Sequence, residues 1–174
     1  MDIVLLGSKS LKLKGKRSTI VVNPTAQLQK TEAEAILLLD NYEDQSFSKI
    51  EGQRIVIDGP GEYEVSGIKI SATKANGGIV YLADIDNVKV LIGQGNSIER
   101  IYDKVGNCNI VVVDSDKEFD YGILPKIEPS VILIYGEKKE EVGKSLGKVD
   151  VPKISKFSVS AEKLPEDLQV LLLG

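Results

Sequence analysis

The 174-residue sequence predicts a β-rich α/β fold, and two observations support this prediction. Short apolar runs rich in Val and Ile recur at intervals of about ten residues, each bounded by Gly, Asn, Asp or Pro. Segments with helical spacing occur only in the second half of the chain. Because no linker or repeat divides this pattern, we expect a single domain over residues 1–174.

Strands are predicted throughout the first half. Residues 11–14 alternate Leu with Lys, as a strand buried on one face does, whereas residues 35–39 are uniformly apolar, as a strand covered on both faces is. Ser66 and Gly67 separate strands of opposite parity, so we expect a turn or a bulge there. Further strands are predicted at 2–6, 20–22, 54–57, 63–65, 68–73, 79–84 and 88–92.

The second half combines strands with segments that can be helical. Apolar residues spaced as on one face of a helix predict three helices. These helices are expected at 97–105, 121–127 and 137–146, and the strands at 110–113, 131–135, 154–160 and 168–173.

A turn motif follows the strand at 54–57. Pro60 fixes φ, and Gly61 supplies the positive φ that a type II turn requires. Asp58 can accept hydrogen bonds from the backbone that follows it, and Glu62 should point to solvent or to a partner. We interpret the motif as structural, and its residues are Asp58, Gly59, Pro60, Gly61, Glu62 and Tyr63.

The composition limits the chemistry. The sequence has no histidine, and its one cysteine, Cys108, lacks a disulfide partner, so mechanisms that need an imidazole base or metal ligand are excluded. The 22 basic and 26 acidic residues give a net charge of −4, which argues against binding to nucleic acid or to an anionic membrane. No apolar run is long enough for a membrane span or a signal segment, so we expect a cytoplasmic protein.

Basic residues cluster near the start of the chain, at Lys9, Lys12, Lys14, Lys16 and Arg17. They could contact phosphates, but no aromatic residue is interleaved for base stacking. We therefore interpret these lysines as the solvent face of an exposed edge strand, where they discourage pairing with other sheets.

Six segments occur in a recognisable order: Asp2–Gly7, Lys14–Lys16, Val22–Pro24, Ile57–Val65, Glu128–Leu133 and Leu164–Val170. Their order resembles that of the metallo-β-lactamase superfamily, in particular its compact branch of metal-dependent hydrolases similar to ascorbate-phosphate lactonases. The resemblance implies an α/β fold, namely a metallo-β-lactamase-like αββα sandwich of two mixed β-sheets with short outer helices.

The same resemblance places the zinc ligands of the family where this sequence has other residues. The H-x-H-x-D-H loop of the family corresponds to Leu39–Gln45, in which only Asp44 matches. A later histidine falls near Leu91, the bridging aspartate falls at Gln94, and the last histidine falls near Gly136. The vestigial metal-site positions are therefore Asp40, Tyr42, Asp44, Gln45, Leu91, Gln94 and Gly136.

These departures determine the functional expectation. The early G-H-S motif of the family reads Gly7-Ser8-Lys9 here, and zinc in such sites is held largely by imidazole nitrogens. We therefore expect no catalytic residue, no metal and no cofactor. We predict that the protein is not an enzyme but a binding or scaffold module, which acts through a protein partner or as a homo-oligomer.

Two alternatives are left open. Oxygen ligands suffice for Mg²⁺ or Mn²⁺, so a residual hydrolase could use Asp40, Asp44 and Asp114. Alternatively, the protein is a sensor that retains the cleft of the fold for a phosphorylated small molecule.

Overall fold

Strands dominate the computed structural model, which describes residues 1–146 and 150–174. In chain order the strands are β1 (Asp2–Leu6), β2 (Ser10–Lys14), β3 (Thr19–Val22), β4 (Thr31–Glu32), β5 (Ala35–Leu37), β6 (Ile50–Glu51), β7 (Ile55–Ile57), β8 (Gly61–Val65), β9 (Ile68–Ala75), β10 (Gly78–Ile85), β11 (Val88–Gln94), β12 (Ile110–Asp114), β13 (Val131–Tyr135), β14 (Lys153–Ile154), β15 (Lys156–Ser158) and β16 (Gln169–Leu173). The α-helices are α1 (Gly95–Ile98), α2 (Ile123–Lys126) and α3 (Lys139–Ser145), and one turn of 3₁₀ helix covers Ala161–Lys163.

The strands form two large mixed sheets. The six-stranded sheet has the order β15-β1-β2-β3-β5-β7, antiparallel as far as β3 and parallel from β3 to β7. The eight-stranded sheet has the order β14-β16-β13-β12-β11-β10-β9-β8, in which β8 to β11 form an antiparallel meander and β11 to β14 pair in parallel. A short parallel pair, β4 with β6, lies apart from both.

The two sheets share one apolar core. This central core contains residues of both sheets, and Ile3, Leu13, Ile70, Tyr81 and Leu133 in it are fully buried. Because successive side chains of a strand point to opposite faces, every second residue of the long strands enters this layer. The arrangement confirms the predicted sandwich of two mixed sheets.

The helices cover the outer face of the eight-stranded sheet. Ile98 of α1, Leu124 of α2 and Val142 of α3 are buried in a second core together with Val111 and Ile132 of the sheet. None of the helices in the described ranges has the length and apolar character that a membrane crossing needs.

The outer face of the six-stranded sheet is covered differently. Leu28, Ala33 and Ile50 come from the segments between the strands and pack against Val21 and Ile36 of the sheet. In the described part of the chain, loops and the β4–β6 pair thus stand where the implied sandwich has a helical layer.

The helices are shorter than the sequence predicts. The segment 97–105 is helical only to Ile98 and continues as separate turns, in which Lys104 N donates to Ile101 O at 2.8 Å. The predicted helices at 121–127 and 137–146 shrink to α2 and α3. Short helices have little stability of their own and depend on packing. Regular helix is therefore limited here to the residues that lie near the sheet.

The interpretation of the lysines as edge-strand residues is wrong. Strand β2 lies between β1 and β3 in the six-stranded sheet, and Lys12 stands opposite Val4 on one side and Val21 on the other. Alternation reveals which face a residue occupies but not which strands flank it, so the sequence pattern could not locate the edge.

The turns follow the sequence closely, with one difference. Ser66 and Gly67 have φ of +50° and +84°, which confirms the turn predicted between β8 and β9. Gly61 has φ of +152°, not the +80° or so of the predicted type II turn. A Cβ atom on Gly61 would lie 3.2 Å from the Tyr63 hydroxyl, which itself donates to Gly59 O at 3.2 Å. Tyr63 therefore closes the loop.

Tyr81 joins the two sheets by hydrogen bonding. Its side chain is fully buried, and its hydroxyl lies 2.8 Å from Leu38 O and 2.7 Å from Ile57 O. Tyr81 belongs to β10 of the eight-stranded sheet, whereas Ile57 belongs to β7 and Leu38 directly follows β5 of the other sheet. The hydroxyl proton thus serves two carbonyl groups across the core.

We predict that Gly61→Val lowers the free energy of unfolding by about 1–3 kcal/mol, because the new side chain combines a strained φ with contact against the Tyr63 ring. Thermal unfolding followed by circular dichroism measures the effect. Gly59→Ala is the matched control, since a Cβ atom there meets no atom within 4 Å. Equal melting temperatures for Gly61→Val and the unmodified protein would contradict the prediction.

We predict that Tyr81→Phe lowers the free energy of unfolding by about 1–3 kcal/mol, because it removes the buried donor shared by two carbonyl groups. Urea denaturation measures the change. Tyr102→Phe, at a partly exposed site, removes the same atom and should cost far less. A similar loss in both variants would show that Tyr81 does not link the sheets in the way described.

Candidate functional site

Three parallel strands end in polar side chains on one face of the eight-stranded sheet. In register, Gln94 of β11 lies beside Asp114 of β12, and Asp114 lies beside Tyr135 of β13. Residues two positions earlier on these strands belong to the central core, so the three side chains face the gap between the sheets at its rim. In α/β sheets, ligands bind at the carboxyl ends of parallel strands, which makes this row a candidate site.

A lysine ammonium lies among these groups. Gln94 Nε2 donates to Asp40 Oδ2 at 2.7 Å, and Lys117 Nζ donates to Asp40 Oδ2 at 3.3 Å and to Gln94 Oε1 at 3.0 Å. The Lys117 side chain is 50% exposed and that of Asp40 is 22% exposed, so the cation stays accessible from solvent. We call Asp40, Gln94, Asp114, Asp116, Lys117 and Tyr135 the rim cluster.

Asp114 is the most perturbed acid of the rim cluster. It is only 5% exposed, and this burial raises its pKa from 3.8 to about 6. The Asp116 backbone N–H, which donates to Asp114 Oδ1 at 3.0 Å, and the charge of Lys9 lower the pKa, whereas the charges of Asp116 and Asp40 raise it. Asp114 can therefore exchange a proton near neutral pH.

Unpaired polar atoms collect at the same end of the sandwich. In the described residues, three buried side-chain atoms lack a hydrogen-bond partner: Asn96 Oδ1, Ser97 Oγ and the Tyr135 hydroxyl. Tyr135 belongs to the rim cluster, and the other two stand in α1, directly after Gln94. Burial and then the charges of Asp114 and Asp116 raise the pKa of Tyr135 well above its usual value, so it is a hydroxyl donor. Buried polar groups are normally paired, so this concentration is typical of a site that receives a polar ligand.

A cavity of about 260 Å³ opens beside the rim cluster, and we call it the rim cavity. Ser8, Lys9, Asp116, Gly136 and Lys139 are among the residues that line it. Lys9 Nζ lies 4.0 Å from Asp116 Oδ2, and a Cβ atom on Gly136 would lie 2.6 Å from Asp116 Oδ1. The rim cavity thus combines two ammonium groups with two carboxylates, those of Asp116 and Glu137.

Several positions identified from the sequence meet at this rim. Asp40 and Gln94 are hydrogen-bonded to each other, and Gly136 borders Asp116 in the rim cavity. The Gly7–Lys9 turn lines the same cavity. These positions lie far apart in sequence, and the fold brings them to the same rim.

Two other positions, Tyr42 and Gln45, hold a neighbouring segment in place. The Tyr42 hydroxyl donates to Pro24 O at 2.7 Å, and Gln45 forms an isolated bridge with Thr25. Burial, followed by the charges of Asp44 and Asp40, raises the pKa of Tyr42 above its usual value. Asp44 lines a separate cleft on the outside of the six-stranded sheet.

Leu91 does not belong to the site, and its assignment to a vestigial metal position is corrected here. It is 1% exposed and packs in the second core, between the eight-stranded sheet and the helices. Leu91 and Gln94 lie three residues apart on one strand, so their side chains point to opposite faces of the sheet. Only Gln94 can face the rim.

The turn motif borders the rim from the other side. Asp58 and Pro60 line a cavity of about 120 Å³ together with Asp40 and Asn41. Glu62 is exposed, as expected. The motif therefore supports the loop that carries Asp40 and contributes no group to the rim cluster.

Sequence reasoning missed Lys117 and the hydroxyl of Tyr135. Lys117 stands three residues after Asp114 in the acidic segment that follows β12. The sequence signal that could have identified Lys117 is its position among the carboxylates that follow the end of β12. Tyr135 was identified only as the end of an apolar strand, because nothing in that run distinguishes a packed ring from one whose hydroxyl reaches a site.

The residues present do not fit the zinc ion that the resemblance implies. The sequence has no histidine, and Cys108 is buried in the second core, under the helices. Within residues 1–146 and 150–174, no three His, Cys, Asp or Glu side chains are grouped so as to hold a metal ion. Asp40, Asp44 and Asp114, the alternative Mg²⁺ or Mn²⁺ ligands, are therefore not brought together.

Comparisons with known proteins support the fold. A proposed Zn-dependent hydrolase of the metallo-β-lactamase superfamily from Thermotoga maritima superposes with a TM-score of 0.78 at 16% identity, over 99% of this chain and 98% of that chain. Igni18, a metallo hydrolase from the archaeon Ignicoccus hospitalis, gives 0.61 at 9% identity, over 99% and 95%. A diphosphatase from the PhnP family gives 0.56 at 11% identity, over 95% and 81%. No protein-family model and no curated protein matches the chain.

Our prediction that the chain is not an enzyme is wrong. The compared structures, which share its fold over most of its length, are described as hydrolases. The prediction rested on the absence of histidine. Carboxyl, ammonium and hydroxyl groups are nevertheless present at the rim. A protein partner or a homo-oligomer stays a prediction.

We predict that Asp114→Asn raises the free energy of unfolding at pH 7.5 by up to about 3 kcal/mol, as follows from a pKa raised from 3.8 to about 6. Between these pH values the folded protein keeps a proton that the unfolded chain loses, so stability falls as pH rises. The neutral amide removes this loss.

Urea denaturation at several pH values measures the effect, which should vanish below about pH 4, where both states of Asp114 are protonated. Asp103→Asn, at an exposed position, is the matched control and should show no such pH dependence. The quantity to compare is the difference in free energy of unfolding between Asp114→Asn and the unmodified protein. If this difference is no larger at pH 7.5 than at pH 4, the burial argument is contradicted.

Proposed function

We propose that this chain is a hydrolase with the metallo-β-lactamase fold that has lost the histidine ligands of the family and cleaves a small phosphorylated ester where the rim cluster meets the rim cavity, at Asp114 and its neighbour Asp116. The observation that carries the proposal is the buried Asp114 carboxyl at the carboxyl end of a central parallel strand. The description of one structural neighbour as a diphosphatase supports a phosphorylated substrate.

Asp114 is the proposed general base. Above a pH of about 6 it is a carboxylate, which can accept a proton from a water molecule as the water oxygen attacks phosphorus. The same proton can then pass to the oxygen of the departing alcohol. A base is most effective when its pKa lies near the working pH, a condition that burial of Asp114 meets.

The ammonium groups supply the positive charge. Lys9 and Lys139 line the rim cavity, where they can bind phosphate oxygens, and Lys117 lies beside the row of strand ends. Fixed donors directed at the place where negative charge develops stabilise a transition state. The unpaired Tyr135 hydroxyl is a further donor at this place.

Hydrolysis of p-nitrophenyl phosphate and of bis(p-nitrophenyl) phosphate tests the proposal. We expect turnover that survives dialysis against EDTA and whose rate rises with pH through about 6, since the base must be ionised. Asp114→Asn should lower kcat by a factor of about 100 or more, the usual contribution of a general base.

The exposed Asp103→Asn variant, which loses the same charge, serves as the control and should keep its full rate. Assays with added Zn²⁺, Mn²⁺ and Mg²⁺ run in parallel. Absence of hydrolysis under all of these conditions, or equal rates for Asp114→Asn and the unmodified protein, would refute the proposal.

A further inference from the structure

A second cleft lies next to the rim cavity, on the outside of the six-stranded sheet. Its volume is about 440 Å³, which is the size of a small-molecule site. It runs between the Gly7–Lys9 turn and the segment 25–31, and we call it the turn cleft. Because the turn lines both spaces, one ligand can extend from the rim cavity into the turn cleft.

The lining of the turn cleft favours an anion. Lys9, Lys12 and Lys30 contribute ammonium groups, and among the described residues that line it Asp44 is the one carboxylate. Lys30 is neutralised by Glu51 at 2.8 Å, which lies outside the lining. Lys9 is likewise paired with Asp116 at 4.0 Å, which also lies outside the lining, so within the described residues Lys12 is the one ammonium group of the lining that has no ion pair.

Lys12 occupies a position that sheet packing does not explain. Its neighbours in register, Val4 and Val21, are apolar, and its strand lies inside the sheet, so edge protection does not account for it. Within the described residues no carboxylate lies at ion-pair distance from Lys12, whose Nζ donates to Thr31 Oγ1 at 2.5 Å. That hydrogen bond holds the ammonium at the cleft.

Neutral hydrogen-bonding groups line the remainder. Thr25, Gln27, Gln29 and Thr31 offer hydroxyl and amide groups, and Leu28 contributes an apolar surface. This combination of ammonium groups, several neutral polar groups and a small apolar surface suits a phosphate group attached to a polyhydroxylated body.

We propose that the turn cleft is a phosphate subsite, in which Lys12 binds a phosphate group remote from the bond that is cleaved in the rim cavity. The inference rests on the proposed function and defines its substrate as a polar small molecule with a second phosphate group. Binding to the subsite requires no catalysis, so the two proposals can fail separately.

Ribose 5-phosphate and inorganic phosphate, titrated at constant ionic strength and pH 7.5, are the probes. We expect saturable shifts of the backbone amide signals of residues 25–31 in ¹⁵N-edited NMR spectra. Lys12→Gln should weaken binding about tenfold, the loss expected for one charge-assisted hydrogen bond. Lys14→Gln is the matched control, because it removes the same charge from the same face of β2 outside the cleft.

Melting curves establish that both variants are folded, and at equal concentration the added sugar phosphate should raise the melting temperature of Lys14→Gln more than that of Lys12→Gln. Equal weakening in the two variants, or no saturable shift at residues 25–31, would overturn the subsite. Binding at the cleft without any hydrolysis would refute the proposed function and leave the subsite supported. In an active protein, Lys12→Gln should raise KM for doubly phosphorylated substrates.

Discussion

The two sheets must bury one shared apolar layer, and this constraint sets the geometry of the site. Along β11, β12 and β13 every second side chain enters the layer, so only residues at the strand ends can point inward and still be polar. Gln94, Asp114 and Tyr135 are these residues, aligned by the parallel register. Their mutual position is a consequence of strand pairing, which makes the rim a rigid framework for chemistry.

The sequence allowed most strands to be predicted, because a strand that is buried on one or both faces has a local signature. Residues 11–14 and 35–39 show the two kinds of signature. Helix lengths and strand order were less accessible. The extent of α1 depends on contacts with the sheet, and the inner position of β2 depends on pairing with residues distant in sequence.

The candidate site could be predicted only in part. Motif order located Asp40, Gln94 and Gly136, which meet at the rim, but assigned Leu91 to the same place although its parity directs it to the other face. Lys117 carries no motif, and its role follows from hydrogen bonds to Asp40 and Gln94 that only the folded chain creates. Spacing in a family pattern thus identifies the neighbourhood of a site, whereas strand parity determines its members.

Lys117 differs from a bound ion in a way that affects the physiology of such a protein. A divalent ion must be acquired from the cell, and it can be stripped or replaced by a competing species. An ammonium group attached to the chain is made with the protein, so every molecule of the protein carries it. It has no free coordination position, however, and interacts with oxygen atoms only through charge and hydrogen bonds. If the proposed function holds, metal scarcity would thus leave this centre intact, while confining it to substrates that are already reactive.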